Sequence, residues 1–171
     1  MRVAGDLVVG LGHPDRGDDA VGHHVAHEVW RRRPGTDVRT LLEPLRLLDL
    51  MSGRRLVVVV DAAASTGPTG VIEVHDTTWE DLPTEPGSGE SSHALAVGEV
   101  IALARGTGTT PRQLMVVTVS GSRFVLGEPP QPGVLGAVAP ATDEVLRLIE
   151  GERTGAPVRT GGRDSAPPRR P

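Results

Sequence analysis

The run Leu56-Val57-Val58-Val59-Val60 restricts this chain more than any other segment. Five consecutive apolar residues, mostly β-branched, leave no polar face to turn toward water. A strand of this kind is covered on both sides, as the central strands of parallel sheets are. Two-sided cover requires helices, and the flanking segments supply them.

Asp6 to Gly12 forms a second short apolar run closed by glycines and reads as the first central strand. From Asp18 to Arg33, Val21, Val25 and Val29 recur every fourth residue, Arg31 to Arg33 suit the negative end of a helix dipole, and Pro34-Gly35 stops the helix. A strand is expected over Asp37 to Leu42, a short helix over Leu45 to Met51, and a strand over Gly70 to His75. Asp81 to Ser92 reads as a polar loop, Ala94 to Arg105 as a helix, and Gln113 to Val119 as a strand. Gly121 to Pro140 reads as an irregular excursion, and Ala141 to Glu150 as the last helix. The expected fold is α/β: a single-domain three-layer α/β/α arrangement with a mostly parallel central sheet. Residues 1–150 form the single α/β domain in this reading, and 151–171 a Gly-, Arg- and Pro-rich tail expected to be disordered.

Composition removes whole classes of chemistry. With no Cys among 171 residues there is no disulfide, no thiolate metal site and no cysteine nucleophile. A formal charge of −4, scattered arginines and almost no aromatics disfavour a nucleic-acid partner. No apolar run approaches the length of a membrane span, so no membrane association and a cytoplasmic location are expected.

The remaining polar candidates gather at strand-to-helix junctions. Asp18-Asp19 opens the first helix, where carboxylates satisfy orphan N–H groups and the dipole; a second carboxylate there is either more of the same or reaches over the edge of the sheet. Asp61 ends the Val57 to Val60 strand, and ligands of open α/β sheets collect beyond the carboxyl ends of strands. Its alternative is a turn-forming Asp bonded to its own backbone. His93 follows Ser91-Ser92 at a helix start, where a structural imidazole would be held by a loop carbonyl. Taken together, two carboxylates and one imidazole on one sheet edge make an open site for a borderline divalent metal. His23 and His27 share a helix face, but His23-His24-Val25-Ala26-His27 lacks the Glu of a metalloprotease helix, so a solvated pair is expected. Gly10-Leu11-Gly12 reads as a tight turn, because Asp15 stands where a dinucleotide site needs its next glycine. Val119-Ser120-Gly121-Ser122-Arg123 misses the first glycine of a nucleophile elbow, so a serine triad is not expected.

Val9-Gly10-Leu11-Gly12 followed by Gly17-Asp18-Asp19-Ala20-Val21-Gly22 resembles the opening signature of the nickel–iron hydrogenase maturation endopeptidases. The likeness continues through Val60-Asp61-Ala62 and Ser91-Ser92-His93-Ala94, and spans residues 5 to 150. It implies a phosphorylase/hydrolase-like fold and, in residues 1–150, the catalytic domain of an endopeptidase that removes the C-terminal extension of a hydrogenase large-subunit precursor after nickel insertion. It also implies that Asp19, Asp61 and His93 bind metal and carry the catalysis, that the nickel is brought by the substrate, and that no organic cofactor is used. The chain departs from the family pattern at Leu42-Glu43-Pro44-Leu45-Arg46-Leu47 and at Val119-Ser120-Gly121-Ser122, in loops expected to contact substrate. These departures keep open a non-proteolytic, nickel-dependent binding or chaperone module for the same precursor. A remoter reading is a peptidyl-tRNA hydrolase-like enzyme, from the similarity of Gly10-Leu11-Gly12-His13-Pro14 to that family's opening, although its catalytic segment is absent.

Overall fold

A computed structural model describes residues 5–83 and 92–151, without the side chains of 92–96. Five strands form one sheet: β1 (Leu7–Leu11), β2 (Asp37–Leu41), β3 (Leu56–Ala64), β4 (Ile72–Asp76) and β5 (Gln113–Gly121), in the order β2-β1-β3-β5-β4. β1, β2, β3 and β5 are parallel, and β4 runs antiparallel on β5 at the edge. The helices are α1 (Val21–Arg32), α2 (Leu47–Met51), α3 (Ser92–Thr107) and α4 (Pro132–Glu150), with 3-10 turns at Gly17–Ala20 and Pro44–Arg46. The expected three-layer fold is the one observed.

Strand alternation divides the core. Val8, Val58, Val60, Val117 and Val119 meet Val21, Val25 and Val29 of α1 and Val134, Val145 and Ile149 of α4 on one face. Leu7, Val9, Val57, Val59 and Val116 meet Leu47 and Met51 of α2 and Val97, Ile101 and Ala104 of α3 on the other. Leu56 to Val60 are fully buried, as a continuous apolar run requires.

Three details differ from expectation. β3 does not stop at Val60 but continues to Ala64, because β5 pairs with it along its whole length as far as Ala64 opposite Gly121. The segment read as irregular up to Pro140 is helical from Pro132 onward. Pro132 occupies the first helical turn, where a missing N–H is harmless, and Val134, Ala137, Ala141, Val145 and Leu148 form one buried stripe. Burying that stripe outweighs the helix-breaking tendency of Pro140, whose ring projects to solvent. The antiparallel β4 arises because no helix separates β3 from it, so the chain turns back and returns beside β5. The tail from residue 152 onward and loop residues 84–91 lie outside the described residues.

The order of the first three strands reverses at β1. The chain leaves β1 over the α1 face to reach β2, then crosses the α2 face to reach β3. The crevice at the carboxyl ends of β1 and β3 is therefore the switch point at which such sheets bind ligands.

Candidate active site

Asp19 and Asp61 meet at this switch point. α1 is drawn tightly onto the sheet by Gly10 on β1 and Gly22 on the helix, where a Cβ on Gly10 would stand 2.1 Å from the Gly22 carbonyl oxygen. This contact brings the 3-10 turn preceding α1, with Asp19, over the end of β1. Asp19 is 2% exposed, and its Oδ2 accepts a hydrogen bond from the His13 backbone N–H at 2.9 Å. Gly12, at φ +116°, is held so close that an added Cβ would lie 2.1 Å from the Asp19 carbonyl oxygen.

Asp61 is 3% exposed and lies inside β3, opposite Thr118 of β5, rather than in a turn after the strand. Alternation places it on the face that carries Val57 and Val59, the face covered by α3. Its Oδ1 accepts a hydrogen bond from the Ala62 N–H at 2.8 Å. Burial, and then the neighbouring charge of Asp19, push its carboxyl up from 3.8 to about 7. Two carboxylates are thus packed where water is scarce and like charge is costly.

His93 belongs to the first turn of α3, and its side chain lies outside the described residues. β5 starts beside the beginning of β3, where the Gln113 N–H donates to the Arg55 carbonyl. α3 ends at Thr107, shortly before that point, and so runs antiparallel to the sheet over about 24 Å and starts at the carboxyl edge. Among the described residues no three His, Cys, Asp or Glu side chains converge as a metal-binding group.

Asp18 has a role that its position in the sequence did not reveal. Instead of capping its own helix, it reaches across to the loop between β5 and α4. Its carboxylate accepts hydrogen bonds from the backbone N–H groups of Ser122, Arg123 and Gln131 and from Gln131 Nε2, at 2.6–3.0 Å. Burial alone would raise its pKa, but the bonds from Gln131, Arg123 and Ser122 prevail and hold it below 3.8. Gly17, Arg16 and Asp15 add further bonds to the same loop, so the Asp19-bearing turn and the 121–131 segment are sewn together. Asp18→Ala would remove the shared acceptor of four part-buried N–H donors on the 121–131 segment and is expected to lower stability by about 2–3 kcal/mol. Urea denaturation measures this against Asp15→Ala on the exposed loop, expected to change stability by less than about 0.5 kcal/mol.

Ser120 is likewise structural: its Oγ donates to the Pro68 carbonyl and accepts from the Val71 N–H, tying β5 to the loop before β4. The solvated histidine pair is only half as expected. His27 is exposed beside Trp30, whereas His23 is partly buried and its Nε2 is enclosed with no hydrogen-bond partner among the described residues.

No protein-family profile matches the chain, and no curated protein matches it. Solved structures do. The hydrogenase maturating endopeptidase HybD from Escherichia coli superposes with a TM-score of 0.68 at 21% identity, covering 88% of this chain and 94% of that one. The fold is that of the hydrogenase maturation endopeptidases. An endopeptidase from Escherichia coli, solved in solution, gives a TM-score of 0.69 at 23% identity over 88% of this chain and 94% of its own. The [NiFe] hydrogenase maturation protease HybD from Thermococcus kodakarensis gives 0.62 at 18% identity, over 85% of this chain and 99% of its own. Among the described residues no helix is long and apolar enough to cross a membrane.

Proposed function

We propose that this protein is a hydrogenase maturation endopeptidase that removes the C-terminal extension of a nickel-loaded hydrogenase large-subunit precursor in the cytoplasm. The observation that carries this reading is the buried Asp19–Asp61 pair at the switch point of a fold shared with hydrogenase maturation endopeptidases. A carboxylate that burial and a like-charged neighbour make reluctant to ionise is relieved by a divalent cation. Oxygen and imidazole ligands suit a borderline metal.

In this reading nickel is part of the substrate, and Asp19, Asp61 and His93 complete its coordination when the precursor docks. Holding the metal fixes the scissile peptide over the crevice. The bound nickel then polarises the scissile carbonyl or positions water for attack. Water adds to the carbonyl carbon, the C–N bond breaks, and the departing amine takes up a proton.

Incubation of the purified protein with nickel-loaded precursor is expected to shorten the precursor by the mass of its extension. Asp19→Ala, Asp61→Ala and His93→Ala are each expected to slow this at least a hundredfold, since even groups that only support metal ligands are worth about 10–100-fold. Circular dichroism checks that each variant is folded. Wild-type processing by all three folded variants would exclude the site. Stable association with the precursor without shortening would instead favour a binding module, the reading left open by the altered Leu42 to Leu47 loop.

A further inference from the structure

α1 carries His23, His24 and His27 within five residues, none of them needed for the carboxylate crevice. His23 and His27 are separated by one helical turn, which puts their Cβ atoms roughly 5–6 Å apart on one flank of the helix. This is the spacing at which two helical imidazoles can hold a metal ion. The flank is distinct from the stripe of Val21, Val25 and Val29 that packs on the sheet. It also differs from the flank on which Glu28 is held by Arg31 and Arg32, so no neighbouring ion pair has to be broken.

The state of His23 gives the spacing its meaning. Its Nε2 is shut away from water and has no hydrogen-bond partner among the described residues, an uncommon condition for a buried polar atom. Turning that nitrogen outward breaks no hydrogen bond made by it. One turn further on, the exposed His27 ring lies against Trp30, with ring centroids 6.0 Å apart.

We propose that His23 and His27 chelate a borderline divalent transition metal ion, such as Ni²⁺, Zn²⁺ or Cu²⁺, on the exposed flank of α1. Imidazole pairs favour these ions over Mg²⁺ or Ca²⁺, which prefer oxygen ligands. No third metal-ligating side chain converges there among the described residues, so water fills the other positions and the ion exchanges readily. The site shares no residue with the Asp19–Asp61 crevice and stands whether or not the protein is a protease.

Trp30 supplies the readout. The chain has two tryptophans, so a Trp79→Phe background leaves Trp30 as the sole fluorophore. Tag-free protein is titrated with Ni²⁺ or Cu²⁺, and equilibrium dialysis of the Asp61→Ala protein, which lacks the carboxylate pair of the crevice, gives the stoichiometry. The expected result is saturable quenching at one ion per chain, reversed by a chelator and opposed by Zn²⁺. His23→Ala and His27→Ala should each weaken binding at least tenfold, while Asp61→Ala leaves the quenching curve unchanged. His27→Gln, which keeps a polar side chain on the surface, should act like His27→Ala. Quenching that rises without saturating, or that persists at wild-type affinity in folded His23→Ala and His27→Ala proteins, would overturn the proposal.

Discussion

Gly22→Ala is expected to unfold the protein. At Gly22 an added Cβ would lie 2.2 Å from the Leu11 carbonyl oxygen and 2.6 Å from that of Val60. Both atoms belong to central strands, so neither can move aside as the end of a flexible side chain would. Relief requires α1 to lift from the sheet, which opens the contact of Val21, Val25 and Val29 with Val8, Val58 and Val60. Losses above about 4–5 kcal/mol mark the severe end of single substitutions, and whole domains have only about 5–15 kcal/mol in hand. Gly136→Ala is the control. Gly136 lies on the exposed face of α4 with nothing within 4 Å of an added Cβ, and the substitution should gain about 0.5–1 kcal/mol. Thermal denaturation of the two variants gives the comparison: cooperative unfolding of Gly22→Ala near the wild-type midpoint would refute the close approach of α1 to the sheet.

Asp61→Asn is expected to stabilise the metal-free protein, increasingly so as pH rises. Folding lifts the Asp61 carboxyl from 3.8 to about 7, so the folded state holds a proton that the unfolded chain has released. Below pH 3.8 both states are protonated and the group has no net effect. Between pH 3.8 and about 7 the folded state loses ground steadily, and above about 7 the loss levels off at about 4 kcal/mol. Asparagine has no charge to bury, removes the repulsion from Asp19, and retains an oxygen to accept the Ala62 N–H. Urea denaturation at several pH values should therefore show wild type and variant diverging between pH 4 and 7, with the variant more stable. Equal stability at pH 8 would refute an uncompensated buried carboxylate. A residue whose removal stabilises the fold while ending its activity is placed for chemistry rather than for support.

The candidate site was legible where chemistry and backbone position coincide. Asp61 was conspicuous because a carboxylate interrupts a β-branched run, and a break in so strong a local pattern needs a reason. Asp19 and Asp18, as neighbours in the sequence, look alike, and the 3-10 turn sends them to different partners: Asp18 to the loop before α4, Asp19 to the His13 N–H and the vicinity of Asp61. No periodicity encodes a contact between residues more than a hundred positions apart. Gly10, expected in a tight turn, lies inside β1 and packs against Gly22, since a turn glycine and a close-packing glycine are identical until the facing backbone is known.

By itself the sequence determined the layers. Continuous apolar runs demand strands buried on both faces, four-residue spacing demands helices to cover them, and both follow from local periodicity and the avoidance of water by aliphatic side chains. Tertiary structure alone decided the length of β3, the return of β4 against β5, the helix that begins at Pro132, and the reach of Asp18 across to the loop before α4. Each of these depends on contacts between distant segments, where burial overrides local preference and charge becomes expensive because neighbours have displaced the water.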